Sequence, residues 1–208
     1  MTRYLSSARR ADPWAVVLLG LLAAVAALVL LHGVNKVLLG DRVMFALDGE
    51  GNLPTWFSST LFAVAGISAL AFALVDARSR WLWVLVGLLF VGFSLDDSVE
   101  IHETTEREGE SLSRLILQPV IVGVLALVLG VLGRRHPRPE RWLLMAAGGV
   151  IVVALGASLL NAYFDPPYSL LVMIQVLEET SEMVAPALVI AAVVSASSRR
   201  LGPSPART

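Results

Sequence analysis

The sequence predicts an all-α membrane protein, a polytopic bundle of six transmembrane helices. Hydrophobic residues make up 56% of the 208 positions and charged residues only 16%, whereas globular proteins average about 45–50% and about 25%. Six segments also approach the roughly 20 apolar residues that a helix needs to cross a bilayer. The lipid bilayer is therefore the first predicted partner.

The predicted spans follow one another along the chain, mostly with short connections. They cover residues 14–34, 56–75, 81–95, 115–132, 142–161 and 169–196. The first exceeds a signal-peptide core of roughly 7–15 residues and lacks a small-residue cleavage site, so we interpret it as a retained helix. Because short connections favour antiparallel neighbours, we expect one up-and-down bundle over residues 1–201. The Pro- and Ser-rich residues 202–208 are expected to be disordered.

The distribution of charge predicts the orientation. If the N-terminus is cytoplasmic, twelve of the 16 Lys and Arg residues fall on the cytoplasmic side, and fourteen of the 17 acidic residues fall in the membrane or outside. Because positive residues accumulate in cytoplasmic loops, both termini are predicted to be cytoplasmic. Tryptophans near the span ends are interpreted as interface anchors. These are Trp14, Trp56, Trp81, Trp83 and Trp142.

Composition and motifs exclude several function classes. The net charge of -1 gives no basic face for nucleic acid. The lack of cysteine excludes disulfides, thiolate metal sites and thiol nucleophiles. The chain has no zincin motif, no nucleophile elbow and no P-loop. The Glu-x-x-His pair of di-iron bundles is also missing, because Val99 stands three residues before His102.

Acidic residues interrupt the third and sixth spans on one face of each helix. On the third span they lie within an arc of about 120°, and on the sixth within about 100°. Counting about 1.5 Å per residue from the cytoplasmic arginines places Asp96 and Glu182 at the same height. Two acidic faces are therefore predicted to meet in one layer in the outer half of the bundle. Their residues are Asp96, Asp97, Glu100, Glu103, Glu178, Glu179 and Glu182.

Two histidines are candidate ligands in this layer. The height count places His32 there, whereas His102 points roughly 100° away from Glu103 and reaches the layer only if the helix loosens. Asn161 is a further candidate for the same layer. Carboxylate and imidazole ligands suit a hard or borderline cation, so the predicted cofactor is a divalent metal ion of unspecified identity. His136 falls in the basic cytoplasmic loop and receives no predicted function.

Two sequence motifs carry a resemblance. They are Leu-Asp-Gly-Glu-Gly-Asn-Leu-Pro-Thr-Trp-Phe-Ser-Ser at 47–59 and Ser-Leu-Asp-Asp-Ser-Val-Glu-Ile-His-Glu at 94–103. Together with the late Glu-Glu pair, they resemble a group of uncharacterised bacterial multi-pass membrane proteins. The resemblance covers most of the chain and implies a multi-pass protein of a bacterial inner membrane. It implies no activity, but it marks the acidic layer and the loop 48–59 as places of interest.

Three classes of function stay open. The first is an outward-facing site that binds a divalent cation, which includes a membrane-embedded metalloenzyme acting on a small-molecule or lipid substrate. The second is a cation or proton carrier whose carboxylates load and release. The third is a scaffold of a membrane complex, in which the acidic residues form a hydrogen-bonded clamp. The sequence shows nothing ionisable between the acidic layer and the cytoplasmic arginines, which ranks an outward-facing site ahead of a carrier.

Overall fold

Helices make up nearly all of the chain described by the computed structural model, which covers residues 11–40, 42–47, 51–99, 118–164 and 167–201. The helices are α1 (Pro13–Leu38), α2 (Leu53–Ala73), α3 (Arg80–Val99), α4 (Gln118–Arg135), α5 (Glu140–Tyr163) and α6 (Tyr168–Leu201). All six are long and apolar enough to span a membrane. The predicted all-α, six-helix architecture is confirmed. The predicted disordered tail, 202–208, lies outside the described residues.

Local capping explains why α2 begins before its predicted span. Asn52 precedes the helix in an extended conformation, and its side-chain oxygen accepts a hydrogen bond from the backbone N–H of Thr55 at 3.1 Å. Pro54 occupies the first turn, where a missing N–H costs no helical hydrogen bond. Gly51 has a φ of +63°, a left-handed conformation that favours glycine. The chain therefore enters α2 at Leu53.

Two asparagines fasten the segment 42–47 to the ends of α1 and α2. Asn35 of α1 accepts a hydrogen bond from the N–H of Arg42 at 2.9 Å and donates one to its carbonyl at 3.0 Å. Asn52 donates a hydrogen bond to the carbonyl of Ala46 at 2.7 Å. Because Asn35 is fully buried, it satisfies backbone groups that would otherwise lack partners. These contacts explain why α1 continues beyond its predicted end.

Helices α2 to α6 form a closed ring, and α1 lies outside it. Each ring helix packs on the next along the chain, and α6 also packs on α2. In the most apolar stretch of α6, 72% of the residues are buried, against 6% in α1, which packs chiefly on α6. The predicted order of neighbours thus holds from α2 onward, while the longer connection 39–52 lets α1 cross to α6. We call the end with the α2–α3 and α4–α5 connections the inner end, and the opposite end the outer end.

Apolar side chains fill the inner half of the ring. Among them are Phe72, Val86, Leu129, Leu132, Leu144, Ala147, Val189 and Ala192, each at most 2% exposed. Large apolar side chains also face away from the bundle on every helix. Examples are Leu30, Ile67, Leu88, Leu127, Val152 and Met173. An apolar outer surface of this extent is what a helix bundle presents to lipid.

The tryptophans agree only in part with the predicted anchor role. Trp56, Trp81 and Trp142 are 57–79% exposed, as expected of interfacial rings. Trp83 is fully buried, and its indole Nε1 donates a hydrogen bond to Asp76 at 3.1 Å. The anchor role predicted for Trp83 is therefore wrong. The physical reason is helical geometry, because Trp81 and Trp83 lie about 200° apart around α3 and point in nearly opposite directions.

Candidate ligand cavity

A cavity of about 440 Å³ lies within the ring, towards the outer end. All five ring helices contribute residues to its wall. Its acidic residues come from α3 and α6 and are Asp96, Asp97, Glu178, Glu179 and Glu182. The structure therefore brings five of the predicted site residues to one space, which we call the carboxylate cavity.

Neutral polar groups complete the outer part of the wall. The amides come from Gln118, Asn161 and Gln175, and the hydroxyls from Thr55, Ser158 and Ser181. Asn161 thus joins the acidic layer, as its position at the end of a span suggested. Among the lining residues that the structure describes, none is Lys, Arg or His. Each of the five carboxylates also interacts within the protein, so a ligand must share or replace existing contacts.

Hydroxyl groups of α2 hold the polar end of α3 in place. Ser58 donates a hydrogen bond to Oδ2 of Asp97 at 2.7 Å. The hydroxyls of Ser59 and Ser98 lie 2.6 Å apart, within hydrogen-bond distance, and their oxygens lie 3.0 and 2.7 Å from the carbonyl oxygen of Ser94. Such contacts satisfy polar groups between membrane helices. They explain how α3 continues as a helix through its polar end and presents Asp97 beside the cavity.

The wall changes from polar to apolar towards the inner end. We call the inner part the apolar floor, and its residues include Phe62, Phe90, Phe93, Leu125, Ile151 and Ala185. Seven residues separate Thr55 from Phe62 on α2 and Gln118 from Leu125 on α4, which corresponds to about 10 Å along each helix. The ring of Phe62 lies 5.9 Å, between centroids, from those of Phe90 and Phe93. The cavity thus joins an acidic layer to an aromatic and aliphatic floor.

His32 lies behind this wall rather than in it. It is 4% exposed, and its Nδ1 accepts a hydrogen bond from the backbone N–H of Leu47 at 2.9 Å. It borders a separate small void together with Gln175, which also lines the carboxylate cavity. A neutral imidazole that accepts at Nδ1 carries its proton on Nε2, so neither nitrogen offers a lone pair to a metal. For His32 to act as a metal ligand, as predicted, its imidazole would first have to lose the hydrogen bond from Leu47.

Three further predicted ligands belong to the segment that follows α3. Glu100, His102 and Glu103 lie outside the described residues. Within the described segments, no group of three or more His, Asp or Glu side chains is arranged to hold a metal ion. The divalent metal site therefore stays a prediction.

An ion-pair network that the sequence did not predict lies buried at the inner end. Asp76 Oδ1 accepts a hydrogen bond from Arg200 at 3.0 Å, and Oδ2 lies 3.2 Å from Nε2 of His136. The Nδ1 atom of His136 lies 2.9 Å from the carbonyl of Leu132, so both ring nitrogens face acceptors. Burial raises the pKa of Asp76, but the hydrogen bond from Trp83 and the positive charges of His136 and Arg200 outweigh it. The net result is a pKa below the ordinary value of 3.8.

A second buried pair ties α5 to α6 near the same end. Glu140, 1% exposed, accepts a hydrogen bond from Ser195 at 2.5 Å and lies 2.7 Å from the guanidinium of Arg199. Asp76 and Glu140 are two of the three acidic residues that the charge distribution leaves on the cytoplasmic side, and no function was predicted for them or for His136. One sequence signal does single out Asp76 and Glu140. Both are isolated acidic residues on the arginine-rich side, where an acid can be buried in an ion pair.

Comparison with known proteins shows where the chain belongs. The family described as Domain of unknown function (DUF8692) matches residues 15–197. The chain belongs to this family. The matched region contains all the described residues that line the carboxylate cavity. No curated protein and no solved structure matches the chain.

Proposed function

We propose that this membrane protein binds a cation in the carboxylate cavity. The observation that carries the proposal is the gathering of five carboxylates, from two helices, around one space of about 440 Å³. Carboxylate oxygens attract cations and are the ligands that hard divalent ions prefer. The volume falls within the range of about 300–1,000 Å³ that is typical of ligand pockets. A divalent metal ion, as the sequence suggests, is one ligand of this kind.

The proposed cavity faces away from the cytoplasm. Twelve of the 16 Lys and Arg residues lie in the segments joined to the inner end. The positive-inside tendency supports a cytoplasmic location for that end, and with it both termini. In a bacterial inner membrane, the carboxylate cavity would then draw its ligand from the outer half of the bilayer or from the space beyond it.

Single-cysteine variants test this orientation, because the chain has no native cysteine. Pro137→Cys lies in the α4–α5 connection and should resist a membrane-impermeant maleimide added to intact cells. Glu50→Cys, in the α1–α2 connection, should be labelled under the same conditions. Lysed cells provide the control, since position 137 should then become reactive. Labelling of position 137 in intact cells would overturn the orientation.

The inner half of the ring favours binding over transport. Buried apolar side chains, including Leu129, Leu144 and Val189, lie between the apolar floor and the inner-end networks. A charged substrate crossing this region would have to leave its polar contacts at a cost of several kcal/mol. We therefore rank an outward-facing binding site, with or without chemistry on a bound substrate, ahead of a carrier.

A paired substitution in the acidic layer tests cation binding. The Glu178→Gln, Glu182→Gln variant keeps the shape of the wall and removes two acidic groups. We expect the wild-type protein to bind at least one cation saturably and to become more heat-stable with it, and the variant to lose at least about tenfold in affinity. Hydrogen bonds to a charged group contribute about 1.5–3 kcal/mol, and about 1.4 kcal/mol corresponds to tenfold. Isothermal titration with Mg, Ca, Mn, Zn and ammonium salts measures the effect.

Asp12→Asn is the matched control for charge. Asp12 is exposed at the start of α1, outside the cavity, so this variant should bind cations as the wild type does. If no cation binds to the wild type, the proposed function is wrong. If the wild type instead carries cations into proteoliposomes and Glu182→Gln abolishes this flux, the protein is a carrier, and the ranking of a binding site ahead of a carrier is wrong.

A further inference from the structure

Building on the proposed function, we propose that the occupant of the carboxylate cavity is an amphiphilic organic cation. Such a ligand carries an ammonium group attached to a compact hydrocarbon or aromatic group. The charged group would lie at the acidic layer and the apolar group against the floor. The inference depends on the shape and polarity of the whole wall, in addition to its charge.

The change of polarity occurs on helices that contribute no acidic residue to the wall. On α5 it runs from Asn161 at the outer end to Ile151 at the inner end. The same change occurs on α2 and α4, where neutral polar residues give way to Phe62 and Leu125. It is therefore a property of the cavity and is independent of the carboxylates. An inorganic ion would use only the outer part, whereas apolar surface within a pocket favours an apolar part of a ligand.

The floor offers aromatic surface close to the carboxylates. Phe93 is partly exposed and lies three residues from Asp96 on α3, about 4.5 Å along the helix. Phe90, behind it, is fully buried and fixes the bottom of the cavity through its contact with Phe62. An aromatic face within about 6 Å of a cation attracts it, in addition to the contact with hydrocarbon. An ammonium group near Phe93 would therefore meet both a carboxylate and a ring.

The dimensions suit an elongated ligand with its charge at one end. The outermost polar residues and the floor are separated by about 10 Å along α2 and α4, and the floor begins about 4.5 Å inward of the nearest carboxylates, Asp96 on α3 and Glu182 on α6. A volume of about 440 Å³ leaves room for a hydrocarbon group beyond the charged end. A ligand of this kind reaches the cavity from the lipid phase or from water with its charge towards the membrane surface, as amphiphiles lie at an interface.

A homologous series of alkylammonium ions tests the inference. Binding of ethyl-, butyl- and hexylammonium to the full-length wild-type protein is measured by equilibrium dialysis at matched free ligand concentration. Affinity should rise by up to about fourfold for each CH₂ that enters the floor. Hexanol, which has the same hydrocarbon without the charge, should bind at least tenfold more weakly than hexylammonium.

Two substitutions on α5 locate the hydrocarbon. Ala154 lines the cavity, and Ala154→Phe should fill its inner part, abolish the dependence on chain length and preserve binding of ethylammonium. The neighbouring residue, Val153, is 46% exposed and absent from the wall, so Val153→Phe should bind as the wild type does. The wild-type series and the comparison with hexanol decide the question even if Ala154→Phe does not fold.

The outcomes separate this inference from the proposed function. Equal affinity for all three alkylammonium ions, or binding of metal ions alone, would overturn the inference and leave cation binding intact. Equal binding of hexanol and hexylammonium would also overturn it, because the charge would then contribute nothing. If neither metal ions nor ammonium ions bind, the proposed function itself fails.

Discussion

The Gly87→Ala variant is expected to lose about 1–3 kcal/mol of stability, because the added methyl group overpacks the contact between α2 and α3. A Cβ at Gly87 would lie 2.6 Å from Cγ of Leu70 and 2.9 Å from the carbonyl oxygen of Gly66. A Cβ at Gly66 would in turn lie 2.8 Å from the carbonyl oxygen of Gly87. A side chain can change its rotamer, but a helix carbonyl retreats only if the helices separate. Small residues that let membrane helices approach closely are therefore essential at this crossing.

Gly92→Ala is the matched control on the same helix. Its Cβ would meet nothing within 4 Å, so the variant should gain up to about 1 kcal/mol from the higher helix propensity of alanine. Thermal unfolding of the purified protein in detergent, followed by circular dichroism, measures both variants. We expect the change in stability to have opposite signs in these two Gly→Ala variants, although the positions are only five residues apart. A loss of stability in both would show that the close contact is not the cause.

The six spans could be predicted from sequence because the signal is local. A membrane helix needs about 20 apolar residues, and each such run can be recognised without knowing its neighbours. Among the boundaries that differ from the predicted spans, those at the end of α1 and the start of α2 depend on Asn35 and Asn52. These side chains bond to backbone groups in the 42–47 segment. Contacts of this kind cannot be deduced from hydropathy.

The acidic layer was predictable because polar residues mark the interior of a membrane bundle. A fixed rise per residue places Asp96 and Glu182 at the same height, and both line the carboxylate cavity. The apolar floor left no comparable signal. In a membrane helix, lipid-facing and core-facing positions are both apolar, so hydrophobic periodicity does not identify Phe62 or Phe90 as cavity residues. His32 lies at the height of the acidic layer, but its Nδ1 accepts a hydrogen bond from the backbone N–H of Leu47. This contact gives the imidazole a structural role.

The inner-end network was missed for a different reason. Asp76 and His136 are 60 positions apart in sequence, and Arg200 is a further 64 residues along the chain. From sequence, Asp76 and Arg200 were counted only as cytoplasmic charges, and His136 was assigned to the basic cytoplasmic loop. Their pairing depends on the closed ring, which brings the α2–α3 connection, the end of α4 and the end of α6 together. No local pattern encodes that closure.

Asp76→Ala is expected to destabilise the bundle by about 3 kcal/mol. The substitution leaves the indole N–H of Trp83 and Nε2 of His136 buried without their acceptor, and each orphaned group costs about 1–3 kcal/mol. The side chain of Arg200 is 44% exposed and can turn to water, so the loss of its ion pair with Asp76 adds less to the destabilisation. Thermal unfolding at neutral pH measures the change. Asp12→Ala, at an exposed position, should stay within about 0.5 kcal/mol of the wild type.

The pH dependence of stability should distinguish the ion pair from simple packing. Because the folded protein holds the pKa of Asp76 below 3.8, ionised Asp76 contributes stability above that pH. The contribution is lost as the pH falls from about 3.8 through the lower pKa of the folded state, where the carboxylate takes up a proton. The wild type should therefore lose stability more steeply than Asp76→Ala in this range, and the two unfolding temperatures should converge. Parallel curves would show that the Asp76 charge does not stabilise the fold and that only its packing matters.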